Sequence, residues 1–350
     1  MTLRILLSSI LLSACSRTAT TPPKPSELTT PAKPPAADAM VATPTPVATP
    51  TVAPSVVDID GCTPQAFAES VDLAEASGAA PMKFDGKPAL LVVGDSGNHG
   101  DYAIIDADTG KLLEQGKLPL GATSDDVEAL AAADGVIYGI TSAGWVYRWQ
   151  EGPKATPMAR FTLVGEPYAI GAIDTSWRKH GGLGDKPPPG EAMACVADGT
   201  NCGRNYEGLC LQPDLKAAAG KSGNQCVGLA IGKADGNAYC VTLSKGKLVA
   251  QRDRRFAVAK PGALADCAFD DQNRAVIGSN LFDALAVYTV KDWAVTDQAS
   301  AAPTITRRIG VGIGFAEVLA TGPSGVLYRM SDASGAPSLM AKFRCADVSQ

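Results

Sequence analysis

Asp134-Gly135-Val136-Ile137-Tyr138-Gly139-Ile140-Thr141 is a short stretch whose pattern recurs at two later places in the chain. Residues 235–242 read Asp-Gly-Asn-Ala-Tyr-Cys-Val-Thr, and residues 324–331 read Ser-Gly-Val-Leu-Tyr-Arg-Met-Ser. In each stretch a glycine suited to a positive φ angle precedes an alternating strand with a tyrosine at the same place. We interpret the three stretches as one repeated β-hairpin unit.

The spacing of this repeat predicts the fold. The three tyrosines lie 101 and 89 residues apart, which is about two units of 45–50 residues each,. A unit of that length is typical of a propeller blade with four strands. Residues 60–350 divided by this period predict an all-β, six- or seven-bladed β-propeller, and we place the domain at 58–350.

Composition agrees with many short strands and excludes some classes of function. The 350 residues include 36 Gly and 25 Pro, which interrupt long helices and favour tight turns,. The formal net charge of -5 gives no general attraction to nucleic acid, so we expect no nucleic-acid partner,. With only two histidines in the chain, a site built on several imidazoles is excluded.

The N-terminal segment predicts export and lipidation. The apolar run Ile5–Leu12 follows Arg4 and is too short to span a bilayer, so it is typical of a signal peptide,. It ends in Leu-Ser-Ala-Cys15, which resembles the lipobox of bacterial lipoproteins. We therefore expect residues 1–14 to be a lipoprotein signal peptide and Cys15 to carry acyl chains such as palmitate that anchor the chain in a membrane. Ser16 after the cysteine favours the outer membrane, with the protein facing the periplasm or the cell surface.

Residues 15–57 have the composition of a tether. The stretch is nearly all Pro, Thr, Ala and Val, which cannot bury a core, so we expect a disordered, Pro/Thr-rich linker,. At about 3 Å per residue in polyproline II, it would reach on the order of 100 Å from the lipid.

Cysteine usage supports an exported protein with disulfides. Without Cys15 the chain has eight cysteines, an even number,. Zinc binding is the rival interpretation, but the sequence contains no C-x-x-C pair and no histidine at ligand spacing,. We expect Cys195–Cys202 to form a local clasp and Cys62–Cys345 to tie the ends of the folded region.

Acidic residues precede several of the predicted strands. The candidates are Glu75, Glu128, Glu207, Asp266 and Glu317. In a propeller, equivalent positions of successive blades converge on one axis, so these carboxylates would form a ring at one mouth of the channel. A hard cation such as Ca²⁺ would relieve their repulsion. The alternative is that these acids cap turns or face open water.

These motifs together resemble a known family. The segments that carry the likeness are Glu75-Ala76-Ser77-Gly78, Gly94-Asp95-Ser96-Gly97-Asn98, Asp126-Val127-Glu128 and Asn205-Tyr206-Glu207-Gly208-Leu209. They resemble the signatures of the esterase-like phytase and SdiA-regulated group of bacterial propeller proteins. The resemblance implies a propeller and a divalent-metal-dependent esterase or phosphoesterase.

A long irregular stretch from about Trp177 to Tyr206 is the candidate for ligand specificity, because binding loops are usually long loops on a rigid scaffold,. Arg204, Asn205 and Tyr206 are its candidate contacts. The leading hypothesis is a lipid-anchored envelope propeller that binds a small ligand or an envelope protein through one face without catalysis. The alternative is the metal-dependent hydrolase.

Overall fold

A computed structural model describes residues 61–120, 125–152, 160–171, 205–259, 263–281, 283–294, 301–309, 315–333 and 335–346. The predicted signal peptide, Cys15, the tether, Arg204 and the Cys195–Cys202 pair lie outside these residues. The described chain is dominated by β-strands, and its two helices, α1 (Leu215–Ala219) and α2 (Val290–Trp293), are too short to cross a membrane.

The strands form five antiparallel sheets, which we number as blades 1–5. Blade 1 contains β3 (Ala76–Phe84), β4 (Lys87–Gly94), β5 (Asp101–Asp106) and β6 (Leu112–Lys117). Blade 2 contains β7 (Val127–Ala133), β8 (Val136–Thr141), β9 (Trp145–Glu151), β10 (Phe161–Leu163) and the short β11 (Tyr168–Ala169). Blade 3 contains β12 (Tyr206–Leu211), β13 (Gly228–Gly232), β14 (Asn237–Ser244) and β15 (Lys247–Ala257). Blade 4 contains β16 (Leu264–Phe269), β17 (Ala275–Ser279), β18 (Ala284–Tyr288) and β19 (Ile305–Arg308). Blade 5 contains β20 (Phe315–Gly322), β21 (Val326–Asp332), β22 (Pro337–Cys345) and two N-terminal strands, β1 (Cys62–Gln65) and β2 (Ser70–Ala74).

The first strand of each blade lies at the centre of a closed ring. β3, β7, β12, β16 and β20 contact one another in that order, and β20 contacts β3 again. The hydrophobic clusters lie between neighbouring blades, as the packed faces of a propeller require,. The protein is a β-propeller, and the described residues form five blades.

The expected count of six or seven blades is not confirmed, because the repeat was assigned to the wrong strands. Tyr138 and Tyr328 lie in β8 and β21, the second strands of their blades, whereas Tyr239 lies in β14, a third strand. The tyrosines therefore do not mark one blade position. The blades also take more chain than the assumed period, and the step from β7 to β12 contains the segment 172–204.

The N-terminal strand closes the ring. β1 pairs antiparallel with β22 as the outermost strand of blade 5, with Cys62 opposite Cys345. A disulfide joins these two cysteines, the pair named from the sequence as tying the ends of the folded region. Two further disulfides link Cys210 with Cys267, across the innermost strands of blades 3 and 4, and Cys226 with Cys240 within blade 3.

Close approach of two innermost strands requires glycine at position 78. A Cβ atom placed there would lie 2.7 Å from the Ala129 Cα atom and from the Leu130 nitrogen of β7. We expect Gly78→Ala to lower the free energy of unfolding by about 2 kcal/mol, since backbone atoms must move to relieve the overlap. Urea unfolding would measure this. Gly171→Ala is the control, because its Cβ would meet only the Ala250 oxygen at 3.4 Å, and equal stability of the two variants would contradict the prediction.

Candidate functional site

Every innermost strand begins with a β-bulge, and the bulged residue is polar in blades 1, 2, 3 and 5. The strand register shifts at Ser77, Glu128, Glu207, the Ala265–Asp266 pair and Glu317. A bulge is a local irregularity that turns one side chain out of the regular alternation. The structure therefore places Glu128, Glu207 and Glu317 at equivalent positions of their blades. In blade 4 the strand pairing puts Ala265 at this position and Asp266 one residue later.

Glu75 does not occupy this position. In blade 1 the bulged residue is Ser77, whose hydroxyl donates to the Val127 carbonyl oxygen. Glu75 lies two residues earlier in a left-handed conformation, with φ of 52°. The sequence analysis placed the site residue of blade 1 two residues too early. The Glu-x-x-Gly likeness does not show which residue falls at the bulge of the strand pair.

A second set of polar residues follows the second strand of blades 1, 3 and 4 and stands beside the bulges. Asp95 follows β4, Lys233 follows β13 and Asn280 follows β17. Their backbone N–H groups donate to the carbonyl oxygens of Glu75, Asn205 and Ala263, at 2.8–3.1 Å. The sequence analysis did not name Asp95, Asp126 or Lys233 as site residues. Only strand pairing reveals that Asp95 and Lys233 lie next to the bulges, whereas Asp126 lies two residues before Glu128 in a segment quoted from the sequence.

Three carboxylates from blades 1 and 2 form a compact group. One ligand oxygen from each of Asp95, Asp126 and Glu128 lies within 4.8 Å of the others. Asp126 and Glu128 are buried, Asp95 is half-buried, and the Ser142 hydroxyl donates to Asp126. Oxygen atoms at this spacing are the donor set that Ca²⁺ prefers.

Blades 3 and 5 form a second group around a lysine. Lys233 Nζ lies 2.9 Å from Glu207 Oε2 and 3.7 Å from Glu317 Oε1. Asn205 Nδ2 donates to Glu207 Oε1 at 2.8 Å, and Asn280 Nδ2 donates to Glu317 Oε1 at 3.3 Å. We call Asp95, Asp126, Glu128, Glu207, Lys233 and Glu317 the acidic mouth.

Charge is unevenly compensated across the acidic mouth. Within the described part of the chain, Glu207 and Glu317 share the Lys233 ammonium group, whereas no ion pair involves Asp95 or Glu128. The Lys233 ammonium group lies within ion-pair distance of both carboxylates. The carboxylates of blades 1 and 2 are thus the part of the mouth without a direct ion pair among the described residues.

The pKa values follow from burial and from this crowding. Burial raises the pKa of Asp95 to about 7, and the negative charge of Asp126 adds to the effect,. The pKa of Glu128 is raised well above its usual range by burial and by the charges of Asp95 and Glu207. Burial raises the pKa of Glu207 to about 8 even though Lys233 opposes the shift. A bound cation would let these groups ionise at neutral pH.

Asp266 has a structural role. It is fully buried, and its carboxylate accepts the backbone N–H groups of Cys267 at 2.7 Å and of Leu319 at 3.4 Å. Leu319 belongs to β20, so Asp266 joins two innermost strands. The expected ring of five acids is therefore a group of three bulge glutamates joined by Asp95 and Asp126.

Two of the predicted ligand contacts, Asn205 and Tyr206, are buried. Tyr206 is buried, and its ring packs edge-on against Tyr239 with the centroids 6.4 Å apart. Asn205 is fully buried and orients Glu207, while its Oδ1 atom accepts no hydrogen bond from the residues that the structure describes. Asn205 therefore positions Glu207 of the acidic mouth, and Tyr206 belongs to the core between blades.

Comparisons with known proteins add only fold-level likeness. No protein-family model matches the chain, and no curated protein matches it. The PQQ-bound aldose sugar dehydrogenase from Streptomyces coelicolor is 14% identical, with 81% of this chain and 99% of that chain covered and a TM-score of 0.43. The β-propeller domain of Cps50 (Swd1) from Myceliophteria thermophila is 10% identical, with 77% and 84% covered and a TM-score of 0.38. Likenesses of this size carry no argument about activity.

Proposed function

We propose that this protein is a lipid-anchored component of the bacterial cell envelope whose propeller binds a ligand or a partner protein through the acidic mouth. In this proposal Asp95, Asp126 and Glu128 hold a Ca²⁺ ion, and Cys15 carries the lipid. The observation that supports it is the grouping of these three carboxylates within 4.8 Å, with raised pKa values for Asp95 and Glu128. Such a group is stable when it is either protonated or bound to a cation.

The proposal is tested by thermal unfolding with Ca²⁺ and with a chelator. At a Ca²⁺ concentration about 100 times its Kd, we expect Tm to rise by roughly 5 °C, since a ligand that binds only the folded state stabilises it. Glu128→Gln removes one ligand charge and should abolish the rise. Glu166→Gln, which changes an exposed glutamate in the same way, should retain it. An equal Tm with Ca²⁺ and with chelator would exclude the ion site.

The second candidate is a metal-dependent phosphoesterase or esterase, as the resemblance to the esterase-like phytase and SdiA-regulated group implies. The observation that favours it is the group of Asp95, Asp126 and Glu128, because a divalent ion held by these carboxylates would activate a water molecule for attack on an ester,. Turnover of p-nitrophenyl phosphate or acetate that is lost with chelator and in Glu128→Gln would support the enzyme. Ca²⁺-dependent stabilisation without turnover would support the binding module.

A further inference from the structure

A cavity lies inside the ring of blades, at the end of the innermost strands away from the β-bulges. Its volume is about 720 Å³, which is within the range of sites that hold drug-sized molecules,. All five innermost strands contribute to its lining, together with the turns that follow them in blades 3, 4 and 5. We call it the channel cavity, and its lining includes Ala131, Ala132, Leu209, Ala268, Phe269 and Ala320. No residue of the acidic mouth is among the lining residues, so the two places are separate.

The lining of the channel cavity is mainly apolar. Ala131, Ala268 and Ala320 occupy equivalent positions, three residues after the bulge positions of blades 2, 4 and 5. Because their side chains end at Cβ, they leave the space between the innermost strands open. An apolar molecule that replaces water against such a surface binds favourably, since it removes apolar area from water on both sides.

Contacts between blades fix the walls of the cavity. The disulfide between Cys210 and Cys267 joins the innermost strands of blades 3 and 4, and both cysteines belong to the lining. The Thr321 hydroxyl of blade 5 donates to the Phe269 carbonyl oxygen of blade 4 at 2.6 Å. The cavity is thus formed before a ligand arrives, so binding costs little conformational entropy of the protein.

The charges of the lining favour an uncharged molecule. Among the lining residues that the structure describes, only Asp270 and Asp271 are charged, and both lie in the turn after β16. Asp270 Oδ2 lies 2.7 Å from Arg274 Nε, and Asp271 Oδ2 accepts the backbone N–H of Ser324 at 2.7 Å. Both carboxylates already have partners inside the protein, so neither requires a cation from a ligand. Their negative charge disfavours an anion.

We propose that the channel cavity binds a small, uncharged, mainly apolar molecule. The cavity volume limits the size of the molecule, the apolar lining matches its surface, and the two carboxylates in the turn after β16 exclude anions. This site does not depend on the acidic mouth, because a cation at Asp95, Asp126 and Glu128 would contact none of the lining residues.

The test is a fluorescence titration of residues 54–350 with N-phenyl-1-naphthylamine, an uncharged dye that becomes brighter in apolar surroundings. These residues form one compact unit and contain every described strand. We expect one dye molecule per chain with a Kd on the order of 10 µM. The anionic dye 1-anilinonaphthalene-8-sulfonate has the same ring system with an added sulfonate, and it should bind about tenfold more weakly.

Two substitutions of a half-buried lining residue place the dye in the cavity. Ala132→Trp fills part of the space and Ala132→Asp adds a charge to it, and each should weaken dye binding about tenfold,. Thr321→Trp changes a second wall, in blade 5, and should have the same effect. Ala336→Trp and Ala336→Asp make matched changes at an exposed alanine between β21 and β22, at the bulge end of blade 5. These controls should keep the Kd within about twofold.

Each outcome decides the proposal. Absence of dye binding, or equal weakening in the lining variants and the Ala336 controls, would overturn the site. Tighter binding of the sulfonated dye would overturn the assignment of an uncharged ligand. A circular dichroism melt establishes that each variant is folded. Chelator and Glu128→Gln should leave dye binding unchanged, so the channel cavity and the Ca²⁺ site can fail separately.

Discussion

Replacing both Cys62 and Cys345 with alanine is expected to lower the free energy of unfolding by about 5 kcal/mol. The disulfide joins residues separated by 283 positions, so it removes more freedom from the unfolded chain than a short loop does,. It also holds β1 against β22, the pairing that closes the ring of blades. The measurement is urea unfolding followed by tryptophan fluorescence.

The Cys226–Cys240 pair is the matched control, since it lies in the same domain but has a separation of only 14 residues. Its double alanine variant is expected to lose about 3 kcal/mol by the same entropy argument. A loss from the Cys62/Cys345 variant that is no larger than the control's would contradict the proposed role of chain closure. It would mean that β1 contributes through pairing alone.

Raising the pH from 5 to 8.5 is expected to destabilise the metal-free protein by on the order of 3 kcal/mol. The pKa of Asp95 is raised to about 7 and that of Glu207 to about 8, whereas in the unfolded chain both groups ionise near pH 4,. Between these values the folded state binds more protons than the unfolded state. Stability that is present at low pH is therefore lost as the pH rises through 7 and 8.

Urea unfolding at several pH values with chelator would measure this loss. Asp95→Asn combined with Glu207→Gln should reduce the dependence, because the two amides have no proton to lose, and the part that remains comes from groups such as Glu128 whose pKa is also raised. Ca²⁺ should restore stability at pH 8.5 more than at pH 5, since it competes with protons for the same oxygens. Stability that rises with pH in the metal-free protein would contradict the assigned pKa directions.

Local pattern was enough to predict the class of fold. Residues 136–141 form a strand as expected, and Gly135 in the turn before it has the expected positive φ angle. Both features depend on only a few neighbouring residues. Blade number was beyond such reasoning. It depends on which strand of a blade each hairpin supplies, and Tyr239 shows that similar hairpins occupy different places in different blades.

The residues of the candidate site were likewise predictable from the sequence only in part. Glu128, Glu207 and Glu317 could be named from the sequence because each precedes the start of an apolar strand at a similar offset. Asp95 and Lys233 could not, because strand pairing is what brings these residues beside the bulges. Asp126 is only two residues from Glu128, but the sequence does not show that its carboxylate joins the same group. The sequence alone determined that this chain forms short strands with acids at their starts, since those features are local. Only the tertiary structure decided that Lys233 balances one half of the mouth and that Asp266 is bound by backbone N–H groups, because charge compensation acts through space between distant residues.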